Sequence, residues 1–130
     1  NMASVAGLGA TSNLAAYVSG KAGIIALSKS AALDYADQGI RINVIAPGPI
    51  LTDHLRAAGD RAQQYAAQSV PLGRIGTTAD VAACVLWLCC DDASFITGVT
   101  VPVDGGQSAG TKLRQTYRPG QPMEEPAGQR

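Results

Sequence analysis

Residues 40–48 read IRINVIAPG, a mostly β-branched, apolar run closed by a Pro-Gly pair. A half-exposed strand would alternate apolar and polar side chains. This run is nearly continuous, which predicts a strand covered on both faces, as in a parallel sheet. Upstream, the segment from about Leu14 to Asp37 follows a helical repeat through Leu14, Tyr17, Val18, Lys21, Ile24, Ile25, Ser28, Ala31, Ala32 and Tyr35, and Gly39 supplies the stop. Its other face carries Ser19, Gly20, Ala22, Gly23, Ala26 and Ser30. A helix with so little polar surface is normally covered on both sides. Residues 1–4, NMAS, read as the tail of another strand. Downstream, residues 50–70 are polar and alanine-rich, a mobile or helical excursion. A second amphipathic helix runs from Thr78 to about Cys90, with Thr77 or Thr78 able to cap it. GVTVPVDGG, residues 98–106, reads as a last strand ending in a glycine turn.

The order strand, helix, strand, excursion, helix, strand predicts an α/β fold built on a doubly wound parallel sheet. Two long helices are too few to cover both faces of a full sheet, and the strand at Asn1 has no preceding partner. Residues 1–106 are therefore expected to be the C-terminal part of a larger domain. Residues 107–130, rich in Gly, Pro, Gln and charge, are expected to form a disordered tail.

Ten Lys and Arg balance ten Asp and Glu, and 46% of residues are apolar. That balance points to neither nucleic acid nor a membrane surface as partner. No apolar run approaches the roughly 20 residues of a spanning helix. The chain reads as cytoplasmic. Cys84, Cys89 and Cys90 are odd in number, lack the spacing of a zinc site, and have only His54 as an imidazole companion. They read as buried reduced thiols, with no metal site.

Chemistry concentrates in AAYVSGKAG, residues 15–23. From Val5 to Ser28 the sole cation or carboxylate is Lys21, four residues after Tyr17. Residues i and i+4 share a helix face, so phenol and ammonium can point into one cleft. A nearby ammonium favours the phenolate, which suits Tyr17 to acid/base work. The same spacing also arises where an aromatic packs on the core and an amine snorkels past it. Ser4 ends a strand, and strand ends in open α/β sheets face the ligand crevice. Its hydroxyl can donate to a carbonyl oxygen; Thr11 and Ser12, on the following loop, are alternatives. The Pro47-Gly48 turn either ends a strand or borders that crevice.

NMASVAG, AYVSGK with its Tyr-x-x-x-Lys spacing, IRINVIAPGPILTD, PLGRIGTTADVA and FITGVTVPVDGG, in that order, resemble the short-chain dehydrogenase/reductase family across residues 1 to about 108. The resemblance implies a Rossmann-like fold and an oxidoreductase moving a hydride between NAD or NADP and a secondary alcohol or ketone. It implies Ser4, Tyr17 and Lys21 as the catalytic set, with Ser4 orienting the substrate oxygen and Lys21 gripping the nicotinamide ribose. Tyr17, Lys21, Pro47, Gly48, Ile50 and Thr52 would bind the cofactor, and His54, Leu55 and Arg56 would belong to a variable substrate lid. A homo-oligomer is implied too. The alternatives are a non-catalytic scaffold acting through subunit packing around Gly20 and Ala26, or epimerisation or dehydration of nucleotide sugars with the same residues. The family's glycine-rich fingerprint is not complete here. GLGATS, residues 7–12, offers Gly-x-Gly without a third glycine and follows the catalytic strand.

Overall fold

The computed structural model describes residues 1–110 and Gly120. The expected tail lies otherwise outside the described residues. Gln107 and Ser108, at its start, belong to the folded part: Gln107 Nε2 donates to Ser69 Oγ at 3.0 Å, and the Ser108 amide to Asp104 Oδ2 at 2.8 Å.

Strand β1 spans Val44–Pro47 and pairs in parallel with β2, Thr100–Val103, in the register Val44 to Thr100. On the other edge of β1, Met2 forms a parallel bridge to Ile45. The Ala3 amide donates to Ile45 O at 2.8 Å, and the Ile45 amide to Asn1 O at 3.0 Å. Residues 1–3 thus flank β1, as an isolated bridge where the sequence reads the tail of a strand. β1 also begins later than expected. Residues 41–43 are tied by a mixture of main-chain and side-chain bonds: the Gly98 amide donates to Ile42 O at 2.8 Å, the Ile42 amide to Thr97 Oγ1 at 3.0 Å, and the Val99 amide to Asn43 Oδ1 at 3.2 Å.

Val44, Ile45 and Ala46 are all buried. Successive strand residues point to opposite faces, and the packing follows. Val44 joins Ala3 and Ile25 of helix α1 (Ala15–Asp34), whereas Ile45 joins Val81 and Leu88 of helix α4 (Thr78–Cys89). The continuous apolar run is explained by one helix on each face. The excursion between them is helical, with α2 at Asp53–Ala57 and α3 at Asp60–Gln68.

The outer side of α1 departs from expectation. The helix buries Ile25, Ser28 and Ala32, while Leu27 and Leu33 are 68% and 82% exposed. The cysteines also differ. Cys84 is half-buried, but Cys89 and Cys90 are exposed free thiols. The buried stripe of α4 runs through Val81 and Leu88, and the last two cysteines fall past its end. No helix among the described residues is long and apolar enough to cross a membrane.

Candidate active site

Ser4 leaves the strand-like segment in an extended conformation and caps a single 3-10 turn, Val5–Gly7, its Oγ accepting from the Ala6 amide at 3.2 Å. The turn lies hard against α1. A Cβ on Gly7 would sit 2.8 Å from the Lys21 carbonyl carbon and 2.9 Å from the Ala22 nitrogen. This contact brings the serine beside the first turns of α1, where Tyr17 and Lys21 stand.

Tyr17 is 48% exposed. The Lys21 ammonium lies 5.7 Å from the centroid of its ring and donates to Met2 O at 3.4 Å. A cation over an aromatic face within about 6 Å is attracted by the ring quadrupole. The helical spacing therefore places phenol and amine side by side, with the strand-end carbonyl fixing the amine.

The opposite wall follows β1. The Gly48 amide continues the ladder to Val103 O at 3.1 Å, and the chain then crosses to residues 74–76. Leu51 N donates to Gly76 O at 2.8 Å, and Gly76 N to Pro49 O at 2.9 Å. Thr52 precedes α2, and its hydroxyl makes no capping bond.

These segments enclose a cleft of about 430 Å³ lined by Ser4, Tyr17, Lys21, Pro47, Gly48, Ile50 and Thr52, together with Met2, Ala3, Thr78 and Val81. Each residue of the expected catalytic and cofactor-binding sets lines it. Thr11 and Ser12 are exposed on the loop and do not line it. Nor do His54, Leu55 or Arg56, which sit on α2; Arg56 there pairs with Asp53 at 3.2 Å. Sequence reasoning missed Thr78 and Val81. The signal available was their place at the start of a helix following a strand-end loop.

That start is strongly defined. Thr77 Oγ1 accepts from the Asp80 amide at 3.2 Å, and Asp80 Oδ2 accepts from the Thr77 amide at 2.7 Å, a reciprocal capping box. Arg74 completes it, donating to both Asp80 oxygens at 3.0 and 3.2 Å. The guanidinium and then the Thr77 donors hold the Asp80 carboxyl well below the usual carboxylate range.

The chain belongs to the short-chain dehydrogenase/reductase family: the family profile described as enoyl-(acyl carrier protein) reductase matches residues 1–108. The 3-oxoacyl-[acyl-carrier-protein] reductase MabA of Mycobacterium bovis is 44% identical over 107 residues, 82% of this chain and 43% of that protein. The structure of ElxO with NADP bound superposes with a TM-score of 0.80 at 36% identity, over 85% of this chain and 46% of that one. 4-Hydroxyisoleucine dehydrogenase complexed with NADH gives 0.78 at 37% identity, again over 85% and 46%. The chain thus spans about half the length of these relatives, and its fold is Rossmann-like.

Proposed function

We propose that this chain carries the proton-transfer and nicotinamide-facing part of an oxidoreductase that interconverts a secondary alcohol and a ketone with NAD or NADP. The observation that carries the reading is the convergence of Ser4, Tyr17, Lys21 and residues 47–52 on one cleft. The relatives add support. A 3-oxoacyl group contains a ketone, and the two similar structures hold NADP and NADH.

The residues present fit the nicotinamide-ribose end of such a cofactor. The cleft, about 430 Å³, lies in the range of roughly 300–1,000 Å³ common for ligand sites. The Lys21 ammonium suits ribose hydroxyls, and the main chain around Ile50 with the Thr52 hydroxyl suits the carboxamide. Bound there, the nicotinamide would supply or accept the hydride. The Tyr17 hydroxyl gives its proton to the substrate oxygen in reduction and takes it back in oxidation. Ser4 donates a hydrogen bond to that same oxygen and so orients the carbonyl carbon. Ala3, Ile50 and Val81 give the cleft apolar walls.

The exposed Leu27 and Leu33 of α1, with Gly20, Gly23 and Ala26 nearby, suit packing against a second copy of the protein. Three free cysteines fit a reducing, cytoplasmic setting.

In the full-length protein, Tyr17→Phe is expected to lower kcat by about 10²–10⁴-fold, the usual range for a positioned acid/base, with circular dichroism unchanged. Near-normal turnover would remove Tyr17 from this role. Failure of the wild type to enhance NADH or NADPH fluorescence would favour a non-catalytic scaffold.

A further inference from the structure

We propose that Arg74 and Asp80 are positioning residues for the Pro49–Thr52 wall of the cleft, acting through Gly76; this rests on reading that wall as nicotinamide-facing. Arg74 grips Asp80 with two nitrogens, at 3.0 and 3.2 Å, and also donates to Ile75 O at 3.2 Å. The same carboxylate accepts from the Thr77 amide at 2.7 Å and the Thr77 hydroxyl at 2.9 Å. The residues on either side of Gly76 are thereby fixed to one another. Gly76 turns its own amide and carbonyl to the wall, binding Pro49 O at 2.9 Å and the Leu51 amide at 2.8 Å. From there the Thr52 amide reaches Ile50 O at 2.8 Å. A displacement at Gly76 is thus passed to Ile50 and Thr52.

Two further features make this connection specific. A Cβ at Gly76 would stand 2.6 Å from Ile50 Cδ1, so the Ile50 side chain rests directly on Gly76. Ile50 also separates the site cleft from a second cavity of about 650 Å³, which Arg74, Gly76 and Asp80 line. On that side the wall borders open volume, so its hydrogen bonds to Gly76 and the contact of Ile50 with that glycine hold it. The Arg74 and Asp80 side chains are 58% and 36% exposed. Ion pairs so exposed add little to stability. The role inferred is geometric, and it should appear in ligand affinity more than in melting temperature.

Arg74→Met in the full-length protein removes the clamp and leaves the Thr77–Asp80 capping box in place. Amide hydrogen exchange at Leu51 and Gly76 should quicken while that of Val44 to Ala46 stays as in the wild type. NADH and NADPH affinity should weaken by about tenfold, equivalent to about 1.4 kcal/mol. ADP-ribose, which lacks the nicotinamide, should bind as before. Unchanged exchange at Leu51 overturns the clamp. Equal losses for NADH and ADP-ribose, or quickened exchange with no loss of NADH affinity, overturn its role toward the cofactor. If the wild type binds no dinucleotide, the reading of the wall falls with the cofactor role, and exchange alone still decides whether Arg74 holds Pro49–Leu51.

Discussion

A methyl group at position 7 has no room, because the atoms it would meet, 2.8 and 2.9 Å away, belong to the backbone of α1 at Lys21 and Ala22. Side-chain rotation cannot relieve that overlap. Gly7→Ala should push the Val5–Gly7 turn away from the helix at a cost of about 1–3 kcal/mol, the usual range for overpacking, measured as a lower urea midpoint. It should also separate Ser4 from Tyr17, so turnover per folded molecule should fall as well. The first glycine of GLGATS thus has a packing reason that its Gly-x-Gly pattern does not reveal. Tyr17 and Lys21 were legible in the sequence because their relation is local, fixed by one turn of helix. Ser4 was separable from Thr11 and Ser12 by its place at a strand end, even though both rivals are nearer to Tyr17 in the chain. Thr78 and Val81 were not legible as cleft-lining residues, because what brings them there is the crossing of one segment over another.

Among the elements, α4 was read almost to the residue because its start is a local capping box of Thr77 and Asp80. The carboxyl of Asp80 titrates below its ordinary value in the folded protein, chiefly through Arg74. Its stabilising contribution is therefore complete above the unfolded value of about 3.9 and is lost as pH falls through the lower folded value. Asp80→Asn weakens the capping box as well as the exposed pair, and should lower the melting temperature slightly at neutral pH. The gap from wild type should hold down to about pH 5 and narrow below about pH 4. A gap independent of pH would show that the charge of Asp80 contributes nothing. Strand ends were less legible. IRINVIAPG reads as one strand from Ile40, yet the regular ladder starts at Val44, because just before it the Thr97 and Asn43 side chains take the Ile42 and Val99 amides and leave one main-chain bond, Gly98 to Ile42 O. The outer face of α1 exposes Leu27 and Leu33, and the apolar character of the helix does not by itself say what lies against that face.

For the molecule as a whole, Arg41 ties its layers together. Its guanidinium donates to Leu88 O at 2.8 Å, at the end of α4, and to Ile96 O at 3.2 Å, before β2. Arg41→Met keeps the stem and withdraws the donors. Unfolding free energy should fall by about 1.5–3 kcal/mol, as for hydrogen bonds to a charged group, with a single transition seen by both circular dichroism and Trp87 fluorescence. A smaller loss would mean that water replaces the guanidinium at those carbonyls. The parallel connection itself was legible, since a buried strand after a helix and before another helix leaves few alternatives.

Because β1 receives its second neighbour only from residues near position 99, it must wait during synthesis. The Val44 amide binds Val99 O, and Ile42 and Thr97, bonded beside them, stand 55 residues apart. At roughly 5–20 residues per second, a ribosome takes about 3–11 seconds to supply that stretch. For those seconds the nascent strand shows an unpaired, hydrophobic edge, and in the cell it is then that a chaperone would have something to hold.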